Sequence, residues 1–412
     1  MSAKIKTAIP LAMTLAIALG IILAGCAPTP TPVPEPEKPT QPLEEEMEPL
    51  LMGAVFNATG WMADYDQPPR SGALLMIEKV NEAGGVLGRE LQLIELDGKT
   101  DPATVGNAAL QLIDRGAEVI IAPCDFDVGG AASRAAQEAG LVGISTCASS
   151  PLYGSEALGD KQFTAVMWNN IMSAGAAEYA FKELGWKTAY AVTDTSIDYS
   201  LSLSRYFIEH FEALGGEVFG EDTFLQDDQD FSAQIQRLQA LPEQPDGLFI
   251  SSYMPGLGTV VRQVRAAGIE TPIMGGDSYD TTQFFQVLGP ELGNDIYFAT
   301  HGFLGPEAGE GMAEFIQLYE EKYGEAPETS FILPGWDTVK ILVEAIEQAG
   351  TTEGAALAKA MEEMEFDLLS GKLNWTSAAE GHQPVKAVAI VIVQGAEPSF
   401  AGWIEPESPP LP

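Results

Sequence analysis

The chain has 412 residues, 46% of them hydrophobic, enough to bury a large core and to build two lobes. Its 59 acidic residues against 21 basic ones give a formal net charge of -38, a surface that repels nucleic acid and anionic lipid headgroups and keeps the protein soluble. Nucleic acid is therefore excluded as a partner.

The first predicted element is a short leader. Lys4 and Lys6 precede an apolar run from Ile9 to Leu23, too short and wrongly flanked for a membrane span but suited to a signal peptide over residues 1–25. The run ends in "LAGC", which resembles the lipobox of bacterial lipoproteins. That resemblance implies acylation of the Cys26 thiol, an N-terminal lipid anchor and an extracytoplasmic protein held at the cell membrane. Residues 26–49, with "APTPTPVPEPEKPTQPLEEEMEP", are too polar and proline-rich to bury a core and read as an extended tether. The folded body starts near Leu50.

From there, short β-rich runs alternate with amphipathic helices. "LLMGAVF", "ELQLIEL", "EVIIAP", "LVGIS", "TAYAVTD", "EVFGEDTF", "GLFISS", "PIMGG" and "IYFATH" read as mostly buried strands. In "SGALLMIEKVNEAGG", Ala73, Ile77 and Val80 share one helix face, and the "DQPPRSG" stretch before it reads as a loop. Gly84, Gly116, Gly140, Gly185, Gly215 and Gly268 each stand where a helix should stop. The repeated βα pattern predicts an α/β protein of parallel sheets flanked by helices. "NEAGGVLGRELQL" and "EALGGEVFGEDTF" echo one another, which suggests two copies of the unit. Ligands of open parallel sheets bind beyond the carboxyl ends of the strands, so two facing lobes make a cleft there. Cys124 and Cys147 each follow one of two consecutive strands; they form a disulfide or pack as separate thiols, and both arrangements stay open. Near the end of "PIMGG", Asp280 followed by Gln283 fits a helix N-cap with its capping-box partner, leaving Asp277 free for another role.

Catalytic signatures are absent. His210, His301 and His382 are widely separated and lack metal-ligand spacing; no GxxxxGK[ST] or GxSxG occurs, and "PGLGTVV" fails GxGxxG at its third glycine. The expectation is a binding protein with no catalytic residues, cofactor or metal. His301 reads as a cleft or hinge histidine making one hydrogen bond, with a Ser/His/Asp arrangement through Ser149 as the alternative.

Residues 50 to 395 resemble the extracytoplasmic substrate-binding proteins of ABC uptake systems for branched-chain amino acids, the type I periplasmic binding fold. The likeness rests on the order and spacing of "SGALLMIEKVNEAGGVLGRELQLIELDGKTDPATVGNAALQLI", "GISTCASSP", "DFSAQIQRLQ", "GTVVRQVRAAG" and "GKLNW". It implies that Asp277 holds the ligand's ammonium, with Gly275 and Gly276 letting the backbone come close, and that Tyr253 and Tyr199 close the cleft. On the other lobe it implies that Ser149 binds the ligand's carboxylate with the backbone amides of Cys147 and Phe126; a helix N-cap is the structural alternative for Ser149. Trp61, Tyr65 and Phe331 fall where the family's side-chain pocket lies, favouring an apolar or aromatic ligand moiety. One departure is "CDFDVGG", which sets Asp125 and Asp127 beside the expected carboxylate pocket. The resemblance further implies a two-lobe fold with the ligand in the interlobe cleft: lobe one from 50–169 and 302–384, lobe two from 170–301 and 385–404, and a tail at 405–412. The implied partners are a small-molecule ligand, an amino acid above all, and an ABC permease. A ligand-sensing module for a signalling receptor, or uptake of an amide, is the alternative.

Overall fold

The computed structural model describes residues 47–412. The signal peptide, Cys26 and nearly all of the tether lie outside the described residues. Among the described residues no helix is long and apolar enough to cross a membrane.

Two open sheets organise the body. The first contains β1 (Leu50–Phe56), β2 (Leu91–Asp97), β3 (Val119–Ala122), β4 (Gly143–Ser145) and β5 (Gln162–Thr164), all parallel, in the order β2-β1-β3-β4-β5. The second contains β6 (Thr188–Asp194), β7 (Glu217–Phe224), β8 (Gly247–Ser251), β9 (Ile273–Gly275) and β10 (Ile296–Thr300), in the matching parallel order β7-β6-β8-β9-β10. A small sheet of β11 (Phe366–Leu368), β12 (Gly371–Trp375) and β13 (Pro384–Val385) lies against the first. The repeated strand order gives the internal echo its structural meaning: both sheets reverse direction of build at their first strand, where such sheets open a crevice.

The second sheet is not purely parallel, contrary to the sequence expectation. β14 (Val388–Gln394) and β15 (Glu397–Ile404) pair antiparallel beyond β10, because the chain re-enters that sheet from the first lobe and then turns back as a hairpin. The chain thus passes between sheets three times: between β5 and β6, after β10, and between β13 and β14.

Both faces of each sheet are covered, which is why the strands read as near-continuous apolar runs. Met52 and Ala54 of β1 face Ile77, Val80, Val339 and Leu342 of the helices Ala63–Glu82 and Ile332–Ala349. Val55 faces the opposite way, toward Val105, Leu112 and Val128. In the second lobe Ile250 and Ile273 pack on Val260 and Phe284, while Phe249 and Met274 pack on Phe207 and Phe211.

The helix after β1 starts at Ala63, eight residues earlier than the apolar pattern suggested, and carries Pro68 and Pro69 in its interior. The "DQPPRSG" stretch is therefore helical rather than a loop. Each proline removes one helix hydrogen bond, and tertiary packing offsets that loss. The helix Ile332–Ala349 crosses closely there: a Cβ on Gly335 would lie 1.8 Å from the Pro69 carbonyl oxygen, and one on Gly72 would lie 2.2 Å from that of Ile332. This backbone-to-backbone approach brings Phe331 against Tyr65, with ring centroids 5.3 Å apart.

Asp280 does not cap the following helix. Thr281 does so, its side chain accepting a hydrogen bond from the Phe284 amide. Asp280 is instead buried and accepts from the Ser330 amide at 2.8 Å and from the Ser330 hydroxyl. A long-range donor pair outcompetes the local capping-box pattern that the sequence displays. Burial raises its pKa to about 6, with the Ser330 hydrogen bonds opposing the shift.

Candidate functional site

The residues immediately after the strands of both sheets converge on one cavity. Trp61 and Tyr65 follow β1, Asp125 follows β3, Cys147 and Ser149 follow β4, Ile197 and Tyr199 follow β6, Tyr253 follows β8, and Asp277 follows β9. With Phe331 they line one cavity of about 40 Å³. No lysine or arginine is among the lining residues.

Rings and sulfur form most of the wall. Trp61 of the first lobe stacks at a tilt on Tyr253 of the second, centroids 4.4 Å apart. Cys124 and Cys147 are joined in a disulfide, their Cα atoms 4.7 Å apart, which decides between the two arrangements left open above. The bond ties the ends of β3 and β4 together beneath the cavity.

Asp277 sits 3% exposed at the second-lobe end. The Tyr199 hydroxyl donates to its Oδ1 at 2.7 Å, and His301 Nε2 lies 2.6 Å from its Oδ2, though out of line for a directed hydrogen bond. A carboxylate has about four acceptor positions, so both oxygens retain capacity for a ligand donor. Burial holds the Tyr199 and Tyr253 phenols well above their ordinary pKa, hence as protonated donors. His301 is fully buried, approaches Met167 Sδ with its other nitrogen, and does not line the cavity. It is thus the positioning partner of Asp277, and no histidine stands among the cavity residues beside Ser149.

The lobes touch around the cavity. Tyr65 reaches across from the first lobe: its hydroxyl donates to the Ser278 carbonyl at 3.2 Å and accepts from the Met254 amide at 3.0 Å. Asp127 accepts from the Asp198 amide at 2.9 Å, and the Ser150 hydroxyl donates to the Asp198 carboxylate. These bonds describe a closed form.

Of the nine residues expected to bind ligand, eight line the cavity and Phe126 does not. The expectation for Phe126 concerned its backbone amide, at the first position of the helix Phe126–Glu138; its ring packs into the first-lobe core beneath the Arg134 guanidinium. Ser149 lines the cavity, and the N-cap role falls to Ser150, whose hydroxyl accepts from the Leu152 amide. Gly275 and Gly276 serve packing rather than ligand approach: side chains there would collide with the Tyr279 ring, and with Leu203 and the Tyr199 hydroxyl. Sequence reasoning did not place Met62, Cys124, Ser150, Ile197 or Ser278 in the wall. Each lies within three residues of a lining residue that it did place in or beside the pocket, so position after a strand was a usable signal.

A two-lobed α/β protein with its cavity between the carboxyl ends of two like-wound sheets belongs to a recognisable class, the type I binding proteins. Residues 49–397 match the family model described as periplasmic binding protein, and the chain belongs to that family. A relative from Pseudomonas aeruginosa, the leucine-, isoleucine-, valine-, threonine-, and alanine-binding protein, is 24% identical over 323 residues, covering 77% of this chain and 83% of the relative. The solved branched-chain amino acid transporter substrate binding protein from Streptococcus pneumoniae, in complex with isoleucine, superposes with a TM-score of 0.77 at 23% identity over 87% of this chain and all of that one (100%). An ABC transporter solute binding protein from R. palustris in complex with benzoate gives a TM-score of 0.74 at 21% identity, covering 87% of this chain and 97% of the other.

Proposed function

We propose that the protein captures a branched-chain or other hydrophobic or aromatic amino acid outside the cytoplasm and delivers it to the permease of an ABC uptake system. The observation that carries this reading is the composition of the cavity: a wall of Trp61, Tyr65, Tyr253 and Phe331 for an apolar side chain, closed at one end by the buried Asp277 carboxylate. The carboxylate supplies the countercharge for an ammonium, and burial in the closed form strengthens that pairing. Cys26 would anchor the chain by a lipid, leaving residues 27–49 as a tether long enough for the lobes to open and close above the membrane. The names of the relatives support an amino-acid ligand.

An aromatic carboxylate is the second reading. Five aromatic rings in the wall, and a neighbour of the same fold that holds benzoate, favour it. Calorimetric titration with L-isoleucine, L-phenylalanine and benzoate tests both, because a ligand of the folded form also raises its melting temperature. Saturable binding of an amino acid upholds the first reading. Binding of benzoate without either amino acid overturns it in favour of the second, and indifference to all three overturns both.

A further inference from the structure

Asp125 is a residue that the binding scheme above leaves unused. It follows β3 at φ 75°, a backbone conformation that few non-glycine residues adopt, and its side chain is 92% buried, given its 8% exposure. Oδ1 accepts from the Val128 amide at 3.1 Å and so caps the helix Phe126–Glu138. Oδ2 is buried, has no hydrogen-bond partner in the protein, and belongs to a residue of the cavity wall. A buried carboxyl oxygen left unsatisfied is costly unless a ligand meets it.

The surroundings decide what it can meet. On its own helix stands Asp127; from the second lobe Asp198 faces it at the head of the helix Asp198–Ala213, and Tyr253 at the end of β8. Asp194 at the end of β6 adds a further acid near Tyr253, and Asp66 accepts from the amide of the adjoining Cys124. Across the cavity lie Asp277 with His301, and the phenols of Tyr65 and Tyr199. No cation lines the wall, and Arg134 is turned onto the Phe126 ring. Burial first, and then the neighbouring Asp127, push the Asp125 pKa up to about 8. At neutral pH the group is therefore a neutral acid with an O–H to give.

We propose that Asp125 is the contact for the ligand's carboxylate, its own carboxyl proton lying between Oδ2 and one ligand oxygen. This rests on the reading that the ligand carries a carboxylate, and it resolves the apparent conflict of an acid beside a carboxylate pocket. The site then selects an anion by a proton stored on the protein, where a fixed arginine or lysine would otherwise serve. The pH sign follows. Below about pH 8 the proton is already in place and affinity is flat. Above it the ionised acid must first take up a proton, so Kd rises about tenfold per pH unit.

The test is calorimetric titration with L-isoleucine and with benzoate between pH 6.5 and 9.5, on the wild type and Asp125→Asn. An asparagine keeps the capping oxygen and donates an N–H at every pH, and a thermal melt confirms that it folds. Titration of the ligand's own amine is common to both proteins and cancels in their ratio. The wild type should lose affinity about tenfold per unit above pH 8 relative to the variant. Equal pH profiles in the two proteins, with isoleucine bound, overturn the role of Asp125 and leave the amino-acid reading intact. Benzoate bound with the expected profile and isoleucine ignored upholds Asp125 and overturns the amino-acid reading. Failure of both carboxylates to bind overturns both. Should affinity rise with pH in the wild type alone, Asp125 acts as an anion toward a ligand cation and the proposal falls.

Discussion

Tyr65→Phe removes one oxygen atom and leaves the ring in the cavity wall, so it separates closure from ligand contact. In the closed form the hydroxyl bridges the lobes by donating to the Ser278 carbonyl and accepting from the Met254 amide. When the lobes part, both backbone groups can hydrate, so the loss falls on the closed form alone. Two neutral hydrogen bonds at about 0.5 to 1.5 kcal/mol each give about 1 to 3 kcal/mol. Apparent affinity scales with the population of the competent state, which converts to roughly a 5- to 150-fold weaker Kd. Calorimetry should show that loss, and small-angle scattering should show a larger radius of gyration for the variant at sub-saturating ligand. The melting temperature without ligand should change little. A Kd within twofold of wild type would refute the latch and return Tyr65 to a packing role.

Asp277→Ala should weaken amino-acid binding by about 2 to 5 kcal/mol, read by calorimetry. It should also lower the melting temperature, because Tyr199 and His301 lose a buried partner. Asp280→Ala leaves the Ser330 amide and hydroxyl unpaired at the head of the helix Ile332–Ala349; a thermal melt should show a loss of about 1 to 3 kcal/mol, while loss of a mere cap would sit at the low end of that range. Reducing the Cys124–Cys147 disulfide, whose cysteines are 23 residues apart, should cost about 2 to 4 kcal/mol in a denaturant titration with and without dithiothreitol. Gly335→Ala drives a Cβ into the Pro69 carbonyl and should cost about 1 to 3 kcal/mol or more in the same assay, with weaker binding as Phe331 shifts from Tyr65.

The fold was legible where local pattern and tertiary environment agree. Parallel strands buried on both faces advertise themselves as apolar runs, and the six helix-ending glycines all take positive φ, as a left-handed stop requires. The rule that ligands bind after strands located most of the cavity without any single decisive motif. Long-range choices were hidden. Asp280 has a flawless local reason to cap a helix, yet Ser330, fifty residues on (|i−j| = 50), takes its carboxylate. Pro68 and Pro69 spell a loop until a second helix packs against them. The run "VAIVIVQ" at 388–394 stands outside the expected strands, and its antiparallel placement follows from where the chain re-enters the sheet.

Two groups of contacts with different work meet at the cavity. Tyr65 with Met254 and Ser278, and Asp127 with Asp198, join protein to protein, and water replaces both sets when the lobes open. They set how readily the lobes close, whatever lies between them. Asp277, Asp125 and the rings of Trp61, Tyr253 and Phe331 face the enclosed space instead. Burying a branched or aromatic side chain against those rings contributes about 1.5 to 3 kcal/mol, a quantity that depends on the ligand's shape. The distinction is measurable across a ligand series. Substitutions in the first group should weaken leucine, isoleucine, valine and phenylalanine by one common factor, because they shift a single opening equilibrium. A Trp61→Ala substitution should change their rank, costing the largest side chain most. If Tyr65→Phe reordered the series, or Trp61→Ala weakened every ligand alike, closure and selection would share the same residues and the two-group division would be wrong.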